Sequence, residues 1–575
     1  MRSFSVLLTA FVFSCVEKFL GPTPIQSYIS TESAIAQAGV LANIGPDGSK
    51  SSGALSGVVI ASPNTYNPNY LYTWIRDASL TFKVITQKVA SEEDPTLRAK
   101  IDQFFLSQVH IQTLTNPSGT ESTGGLGEPK FHIDETAYTD SWGRPQRDSP
   151  ALRATTFMLY ANYLIANGNT TWVTKNLWPV IKLDLDYVQN YWNRTTFDLW
   201  EEIPSSSFWT TAVQHRALRE GIALAEDLDQ MDVIPGYVDQ ANNLLCFQQS
   251  FKNSAGGYFT ANTGGGRSGI DSNTILASIH VFDPAAGCDA ATFQPCSDVA
   301  LSNLKVYVDS FRSIYSINNG IAGNAAVATG RYPEDVYYNG NPWYLSTFAV
   351  AEQLYDAVIV WEQQQVINVT STSLLFFRQF ISDVGSGSYP ASTSTYSTLL
   401  AAIKNFADGF VLINAKYTPS DGGLSEQFTR DNGSPLSAKD LTWSYASALT
   451  AFAARDGFIP ASWGAAGLTV PSVCRSNPGP TASVTFNVYA TTNIGENVFL
   501  VGSVPELGNW LPENAVPLSS QNYPTWSANI TLPGYTSVDY KYIKKSRDEI
   551  VWASDPNWSW RTPDAGSATL SDTWR

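Results

Sequence analysis

The chain has 575 residues, 43% of them hydrophobic and 15% charged, which is the composition of a globular protein larger than one ordinary domain. Its net charge of −16 argues against a nucleic-acid partner, because binding polyphosphate requires a basic surface. Aromatic residues make up 13% of the chain, and flat rings pack against sugar faces as well as in cores.

The N-terminus has the features of a secretory signal peptide. Arg2 precedes an apolar run of about a dozen residues, which is too short to span a bilayer. We therefore predict a signal peptide over residues 1–20, with its end placed only loosely, and a secreted, extracellular protein. No later run is long and apolar enough for a membrane helix, so we expect no membrane association.

Four cysteines remain once the leader and Cys15 are removed. An even number in a secreted chain predicts two disulfides, for which three pairings can be drawn. The short loop between Cys288 and Cys296 favours that local pair, which leaves Cys246 with Cys474. Free buried thiols are the disfavoured alternative outside the cell.

The chain also contains several acceptor motifs for N-linked glycans. Such a motif permits modification without requiring it. They occur at Asn169, Asn193, Asn368, Asn432, Asn529 and Asn557.

Helical patterns recur over residues 21–472, which we predict to form one large domain. Ser149-Pro150, Pro179 and Ser207 each precede such a pattern, as helix starts often do. Ser437 followed by Asp440 resembles a capping box before another. Long loops rich in Gly, Pro and Asn connect the helices. Helices joined by elaborate loops predict an α/α toroid whose site is built from loops on one face.

The pattern changes to alternating strands after a short Pro/Gly-rich linker at residues 473–481. Val484, Phe486 and Val488 alternate with polar residues and share one face of a predicted strand. Further short strands follow, separated by turns. Residues 482–575 are therefore predicted to form an all-β sandwich domain.

The sequence contains no motif typical of metal binding or of phosphate binding. The four histidines form no HExxH and no close pair, and no CxxC occurs, so a catalytic zinc is not expected. A Walker motif and a G-x-S-x-G nucleophile turn are also absent. We expect no cofactor and no metal.

Carboxylates and arginines instead occur beside aromatic residues in several loops. Each such segment alone is better explained by a surface ion pair or a core plug. Together they predict a carbohydrate site, because rings stack on sugars and paired acids cleave a glycosidic bond. The segments are YLYTWIRD (70–77), SWGRPQRD (141–148), TFDLWEE (196–202), GRYPEDVYYNGNPW (330–343) and GGLSEQF (422–428).

These motifs resemble those of fungal glucoamylases, the family 15 glycoside hydrolases, from about residue 28 to about residue 474. The C-terminal segment is similar to the family 20 starch-binding domain through VTFNV, GENVFLVGSVPELGNW and YKYI. The resemblance implies a mainly α protein with an (α/α)6 barrel and a small all-β sandwich. It also implies the disulfides Cys246–Cys474 and Cys288–Cys296.

The resemblance assigns Glu201 as general acid and Glu426 as catalytic base. The acid requires a raised pKa, and we expect Trp200 to limit its solvation while Asp198 and Glu202 add like charge. The family inverts the anomeric configuration, which implies about 6.5–9.5 Å between the two carboxyl groups so that a water fits.

Further substrate-binding residues follow from the same motifs. Arg76 and Asp77 are expected to form a buried pair that binds hydroxyls of the terminal glucose. Asp198 and Glu202 are expected to bind the sugar beyond the scissile bond. The remaining residues expected to line the site are Tyr70, Trp74, Trp142, Trp200, Arg331, Tyr337, Trp343, Gln427 and Trp443.

In the C-terminal domain, Trp510 and Trp552 match the two stacking tryptophans of the family's first starch site. Lys541 and Asn557 match its polar contacts, and a glycan on Asn557 would obstruct that site, so we expect this asparagine to be unmodified. Tyr523 fits one tyrosine of a second site. Ile494 stands where the other is expected, which predicts a weaker second site.

The resemblance implies a secreted, monomeric, exo-acting glucoamylase. It would release β-D-glucose from the non-reducing ends of starch and maltooligosaccharides by cleaving α-1,4 and, more slowly, α-1,6 bonds. One alternative is a non-catalytic starch-binding protein, which the intact Glu201 and Glu426 disfavour. Another is a family 15 relative with a different linkage preference, such as a glucodextranase or a trehalase.

Overall fold

The computed structural model describes residues 23–472, 474, 481–534, 536–546, 549–563 and 566–575. The predicted signal peptide and most of the predicted linker lie outside the described residues.

Fourteen α-helices are described, and all of them precede the β-domain. They are α1 (Pro24–Ala42), α2 (Ile75–Ala90), α3 (Arg98–Gln112), α4 (Asp148–Ala166), α5 (Thr170–Trp172), α6 (Trp178–Tyr191), α7 (Phe208–Asp227), α8 (Ile234–Gln248), α9 (Ser272–His280), α10 (Asp298–Ser310), α11 (Tyr344–Gln364), α12 (Leu374–Arg378), α13 (Ser394–Tyr417) and α14 (Thr442–Arg455).

Six of these helices close a ring. Helix α2 packs on α4, and the contacts continue through α7, α9, α11 and α14 back to α2. Six outer helices, α1, α3, α6, α8, α10 and α13, alternate with them along the chain and pack against the inner ring. Inner helices such as α11 are buried almost all round, whereas outer helices bury one face. This is the predicted (α/α)6 barrel.

Short two-stranded sheets shape the loops between the helices. Strands β1 (Thr73–Trp74) and β2 (Lys130–Phe131) pair, as do β3 (Thr196–Phe197) with β4 (Pro204–Ser205). Further pairs are β5 (Lys252–Asn253) with β6 (Tyr258–Phe259), β7 (Val366–Val369) with β8 (Gly387–Pro390), and β9 (Gln427–Phe428) with β10 (Pro435–Leu436). The two predicted catalytic glutamates lie in or beside two of these pairs, β3–β4 and β9–β10.

Two predicted helix starts differ from the structure. Helix α4 already begins at Asp148 rather than after Ser149. Helix α14 begins at Thr442, with Leu441 at its N-cap and no side-chain cap, so the predicted capping box is wrong. Ser437 and Asp440 have positive φ values of 66° and 51° and belong to the preceding turn.

The C-terminal domain is a sandwich of two sheets. One sheet has the order β14 (Ser519–Asn522), β15 (Thr525–Pro533), β11 (Thr481–Tyr489), β19 (Gly566–Thr573), with β11 and β19 parallel. The other contains β13 (Val516–Pro517), β12 (Asn497–Gly502), β16 (Ser537–Lys545), β17 (Ile550–Trp552) and β18 (Trp558–Arg561). The predicted inward face of β11, with Val484, Phe486 and Val488, is fully buried.

The structure bears on two further predictions, the pairing of the cysteines and the absence of a later membrane span. Disulfides join Cys246 to Cys474 and Cys288 to Cys296, with Cα–Cα distances of 5.6 and 4.8 Å. The expectation that no later segment resembles a membrane span is wrong by length and composition. Within the described residues, α13 passes that test. It packs against α11 as an outer helix of the barrel.

Candidate active site

A cavity of about 560 Å³ opens at the end of the barrel where the inner helices begin. Its walls come from the first turns of inner helices and from the loops and hairpins before them. Positive helix ends favour carboxylates at such a place. It is lined by all of the catalytic and substrate-binding residues predicted for the barrel domain except Asp198 and Gln427.

Glu201 lies in the turn between β3 and β4, with a positive φ of 66°. This left-handed conformation costs a non-glycine residue roughly 1–2 kcal/mol. Asp198 holds the turn, because its Oδ1 accepts hydrogen bonds from the backbone N–H groups of Glu202 (2.9 Å) and Ile203 (3.2 Å). Gly143 fits against this turn, since a Cβ there would lie 2.6 Å from the carbonyl oxygen of Glu201.

Burial is the main influence on the predicted acid, and it raises the pKa of Glu201. Arg76 and the side chains of Gln146, Trp142 and Trp74 oppose this rise in pKa. The indole Nε1 of Trp74 donates to Glu201 Oε1 at 2.7 Å. The predicted effect of limited solvation thus agrees with the main cause of the shift, whereas like charge from Asp198 and Glu202 is not among its main causes.

Glu202 is the more acidic of the adjacent pair. Burial opposes its ionisation, but Arg331, Tyr332 and Arg267 outweigh burial and lower the pKa of Glu202. Its carboxylate lies 2.7 Å from Arg267 Nη2 and 3.0 Å from Arg331 Nη2. Two consecutive glutamates therefore differ in pKa because one faces tryptophans and the other faces arginines.

Glu426 lies immediately before β9 and is also buried. Burial raises the pKa of Glu426, while Ser437, Tyr70, Arg331 and Gln427 lower it. The Ser437 hydroxyl donates to Glu426 Oε2, and Gln427 Nε2 donates to the same oxygen at 3.0 Å. Gln427 lies outside the cavity lining, so its side chain positions the Glu426 carboxylate rather than facing the cavity.

Removing the Ser437 hydroxyl tests whether its hydrogen bond lowers the pKa of Glu426. This donor stabilises the ionised carboxylate, so its loss in Ser437→Ala raises the pKa of Glu426. If Glu426 must be ionised to act as base, the acidic limb of the kcat/KM profile moves to higher pH. Ser434→Ala, an exposed hydroxyl of the same hairpin, is the control. An unchanged acidic limb in Ser437→Ala would contradict the assignment.

Arg76 and Asp77 lie side by side at the cavity but are not ion-paired with each other. Arg76 is buried and its Nε donates to Asp148 Oδ2 at 2.7 Å, while Nη1 donates to the carbonyl of Leu199 at 3.0 Å. Asp77 lines the cavity beside it. Burial raises the pKa of Asp77 to about 7, Arg76 opposes this rise, and Glu201 adds to it.

Aromatic rings form much of the cavity wall. The ring centroid of Trp200 lies 5.4 Å from that of Trp343 and 6.5 Å from that of Trp443. The hydroxyl oxygens of Tyr70 and Tyr337 are 3.1 Å apart. Tyr70 also packs edge-on against Trp74, so this tyrosine connects the surroundings of Glu426 with those of Glu201.

Lys130 is a cavity residue that the sequence analysis did not identify. Its Nζ lies between 3.6 and 4.8 Å from four ring centroids, those of Tyr72, Trp74, Tyr138 and Trp142. Burial lowers the pKa of Lys130 to about 8, whereas Glu201 raises it. Only the pairing of β2 with β1, which sets Lys130 opposite Trp74, brings it to the cavity.

The predicted starch-binding side chains lie at or near the surface of the β-sandwich. Trp552 is 41% exposed at the end of β17, and Asn557 is also exposed. Lys541 on β16 pairs with Asp555, and Trp510 is half-buried. Tyr523 is 52% exposed and accepts a hydrogen bond from the backbone N–H of Thr492 at 3.4 Å, which places it beside the turn that contains exposed Ile494.

Within the described residues, no group of three His, Cys, Asp or Glu side chains is arranged to hold a metal ion.

Two family models match the chain. Glycosyl hydrolases family 15 matches residues 34–453, and the starch binding domain matches residues 481–572. The chain belongs to family 15 of the glycosyl hydrolases.

Several known proteins are similar to this chain over almost its whole length. Glucoamylase-1 of Schizophyllum commune is 59% identical over 554 residues, which is 96% of each chain. A glucoamylase of Neurospora crassa is 48% identical over 96% of this chain and 94% of its own length. The solved structure of a family 15 glucoamylase from Hypocrea jecorina is 45% identical, with a TM-score of 0.77 over 96% of this chain and 100% of that chain.

Proposed function

We propose that this protein is a secreted glucoamylase that removes glucose from the non-reducing ends of starch and maltooligosaccharides with inversion. Family 15 membership and 59% identity over almost the whole chain make it a glucan 1,4-α-glucosidase. The observation that carries the mechanism is the meeting of Glu201 and Glu426 in one aromatic cavity with different hydrogen-bond partners.

Glu201 is the proposed general acid. Burial raises the pKa of its carboxyl group and so favours the protonated form, which can donate a proton to the glycosidic oxygen as the bond breaks. Trp74 fixes one carboxyl oxygen, and the strained backbone turn aims the group into the cavity. Arg76 beside it stabilises the carboxylate that remains.

Glu426 is the proposed base that activates a water molecule. Ser437 and Gln427 both donate to Oε2, which orients the carboxylate and favours its ionised form. An inverting enzyme needs room for a water between its two carboxyl groups, about 6.5–9.5 Å. We propose that spacing here.

Substrate binding is assigned to the polar groups around the two acids. The Asp77 carboxylate lines the cavity beside Arg76, and we propose that both bind hydroxyls of the terminal glucose. Arg331 is held by two hydrogen bonds to Asp335, at 2.9 and 2.7 Å, and extends to Glu202. The cavity lies at one end of the barrel, and we propose that it receives only the ends of starch chains.

Asp198 has a different proposed role from the one implied by the resemblance. Its carboxylate is fully buried behind the cavity and accepts three hydrogen bonds, two from backbone N–H groups and one from Asn262 at 3.2 Å. We assign it to positioning the Glu201 turn rather than to contacting sugar.

The substrate range is tested by sugar release from soluble starch, dextran and trehalose. The proposal predicts glucose from starch, with little from dextran and none from trehalose. Binding to starch without any release would favour the non-catalytic alternative. Faster release from dextran or trehalose would favour a relative with another linkage preference.

The starch-binding domain is tested by Trp552→Ala. Loss of one exposed stacking ring costs about 1–3 kcal/mol by analogy with other stacking platforms, so adsorption to granular starch should weaken roughly 5- to 150-fold. Hydrolysis of soluble maltooligosaccharides should not change. Tyr489→Ala, another exposed aromatic of this domain, is the control. Equal adsorption of the two variants would contradict the assignment of Trp552.

Secretion and a monomeric state complete the proposal. Two disulfides favour an oxidising compartment, and the N-terminal sequence has the composition of a leader. N-terminal sequencing of the protein recovered from culture medium would locate the cleavage point. Light scattering would measure the mass in solution.

A further inference from the structure

The acceptor motifs for N-linked glycans differ in their surroundings. Asn432 is held by hydrogen bonds inside a tight turn, and Asn529 is bonded to hydroxyl groups of the neighbouring strand β11. Asn169 instead lines a surface groove of about 270 Å³ between α3 and the end of α4. The proposed function does not use this groove.

The groove has an apolar wall beside Asn169. Trp172 is 39% exposed and Leu106 is 66% exposed, although both are large apolar side chains. Phe105 supports the indole, with its ring centroid 5.7 Å from that of Trp172. An exposed ring of this kind presents a face on which the C–H groups of a sugar can pack.

The opposite wall of the groove is polar. The Tyr160 hydroxyl donates to Asp102 Oδ1 at 2.6 Å, and Tyr160 also interacts with the guanidinium of Arg98. A ring face on one side and a carboxylate, a hydroxyl and a guanidinium on the other match the amphipathic surface of a sugar ring.

The backbone holds Asn169 and Trp172 in a fixed relation. Asn169 is the N-cap of α5, and its carbonyl oxygen accepts a hydrogen bond from the backbone N–H of Trp172 at 3.0 Å. Its side-chain Nδ2 donates to the carbonyl of Asn167 at 3.0 Å. That bond uses one amide hydrogen, so the nitrogen retains a position for a sugar.

We propose that Asn169 carries an N-linked glycan whose first N-acetylglucosamine units lie in this groove against Trp172. The inference rests on the proposed secretion, because the modification occurs in the secretory pathway. The Asn169 amide nitrogen forms a bond to C1 of N-acetylglucosamine supplied by a lipid-pyrophosphate oligosaccharide. The bond from C1 to the pyrophosphate oxygen breaks, the lipid pyrophosphate leaves, and the amide proton passes to a base.

A glycan attached to Asn169 is more favourably placed to occupy the groove than a free starch chain. Asn169 is itself part of the groove lining, so a glycan linked there is held beside Trp172 at high effective concentration. A free polysaccharide would have to displace it.

The test compares the wild type with Trp172→Leu, which keeps the acceptor motif and removes the ring. Both are secreted behind a host leader, so a failure of the native leader does not affect the result. Glycopeptide mass analysis should find Asn169 occupied in both. Endoglycosidase release from the native protein, normalised to the denatured protein, should be about two- to tenfold faster in Trp172→Leu.

An unmodified Asn169 in secreted, active enzyme would overturn the inference and leave the proposed function standing. Equal release rates from the wild type and Trp172→Leu would overturn the docking of the glycan in the groove. Absence of starch hydrolysis in a protein glycosylated at Asn169 would instead count against the proposed function alone.

Discussion

Glu201→Gln should lower kcat on maltoheptaose about 10²- to 10⁴-fold, the usual contribution of general acid catalysis. The amide is nearly isosteric and keeps an oxygen for the Trp74 indole, which donates to Glu201 at 2.7 Å, but it has no proton to give. Binding should change little. The measurement is the steady-state rate of glucose release, with Glu334→Gln, an exposed carboxylate outside the cavity lining, as the control.

A substrate with a different leaving group shows whether the loss of rate in Glu201→Gln comes from the loss of proton donation. Fluoride departs with less need of a proton than a sugar alkoxide does, so α-glucosyl fluoride should partly bypass the requirement for the acid. We expect Glu201→Gln to retain much of its rate on the fluoride. Equal losses on maltoheptaose and on the fluoride would mean that Glu201 does not act as the proton donor.

Glu426→Gln should lose a comparable factor in kcat on both substrates. The base activates the attacking water, and that water is needed whatever group departs. The amide cannot accept the proton of water, and the donors Ser437 and Gln427 would then face a neutral group. The measurement is again glucose release from maltoheptaose and from α-glucosyl fluoride, with fluoride release followed in parallel.

The two variants therefore separate the roles of the two carboxyl groups. The ratio of the rate loss on maltoheptaose to that on α-glucosyl fluoride should be large for Glu201→Gln and close to one for Glu426→Gln. The reverse pattern would exchange the roles. Similar ratios for both variants would contradict the assignment of separate acid and base.

Local pattern predicted the architecture well because each domain follows one period. Alternation placed Val484, Phe486 and Val488 inside the sandwich, and helical patterns indicated helices such as α4, α6 and α7. The predicted start of helix α14 was wrong, because Ser437 has a different role from the helix cap that was expected. Ser437 resembled a helix cap by composition, but its hydroxyl donates to Glu426 and its backbone has a positive φ.

Sequence motifs indicated most residues that line the cavity. They could not predict which side chains from distant parts of the chain would contact them. The motif indicated Arg76 and Asp77 as hydroxyl-binding residues, but it could not show that the fold pairs Arg76 with Asp148. Lys130 reaches the cavity through the pairing of two short strands and carries no signal of its own. Asp198 lies in the right motif, yet it is buried behind the turn that it stabilises.

The same limit applies to electrostatics. The sequence DLWEE indicated two causes of a raised pKa at Glu201, namely limited solvation beside Trp200 and repulsion by Asp198 and Glu202. In the fold, Arg331 and Arg267 neutralise Glu202, and burial among tryptophans raises the pKa of Glu201. Charge spacing along the chain cannot show which neighbours are compensated by residues distant in sequence.

The most direct test of the account is the anomer of glucose released from maltoheptaose, followed by proton NMR before mutarotation. Attack by a water that Glu426 activates, on the face opposite the departing chain, predicts β-D-glucose as the first product, one unit at a time from the chain end. Initial α-D-glucose, or longer oligosaccharides among the first products, would contradict the proposed acid, base and mode of attack.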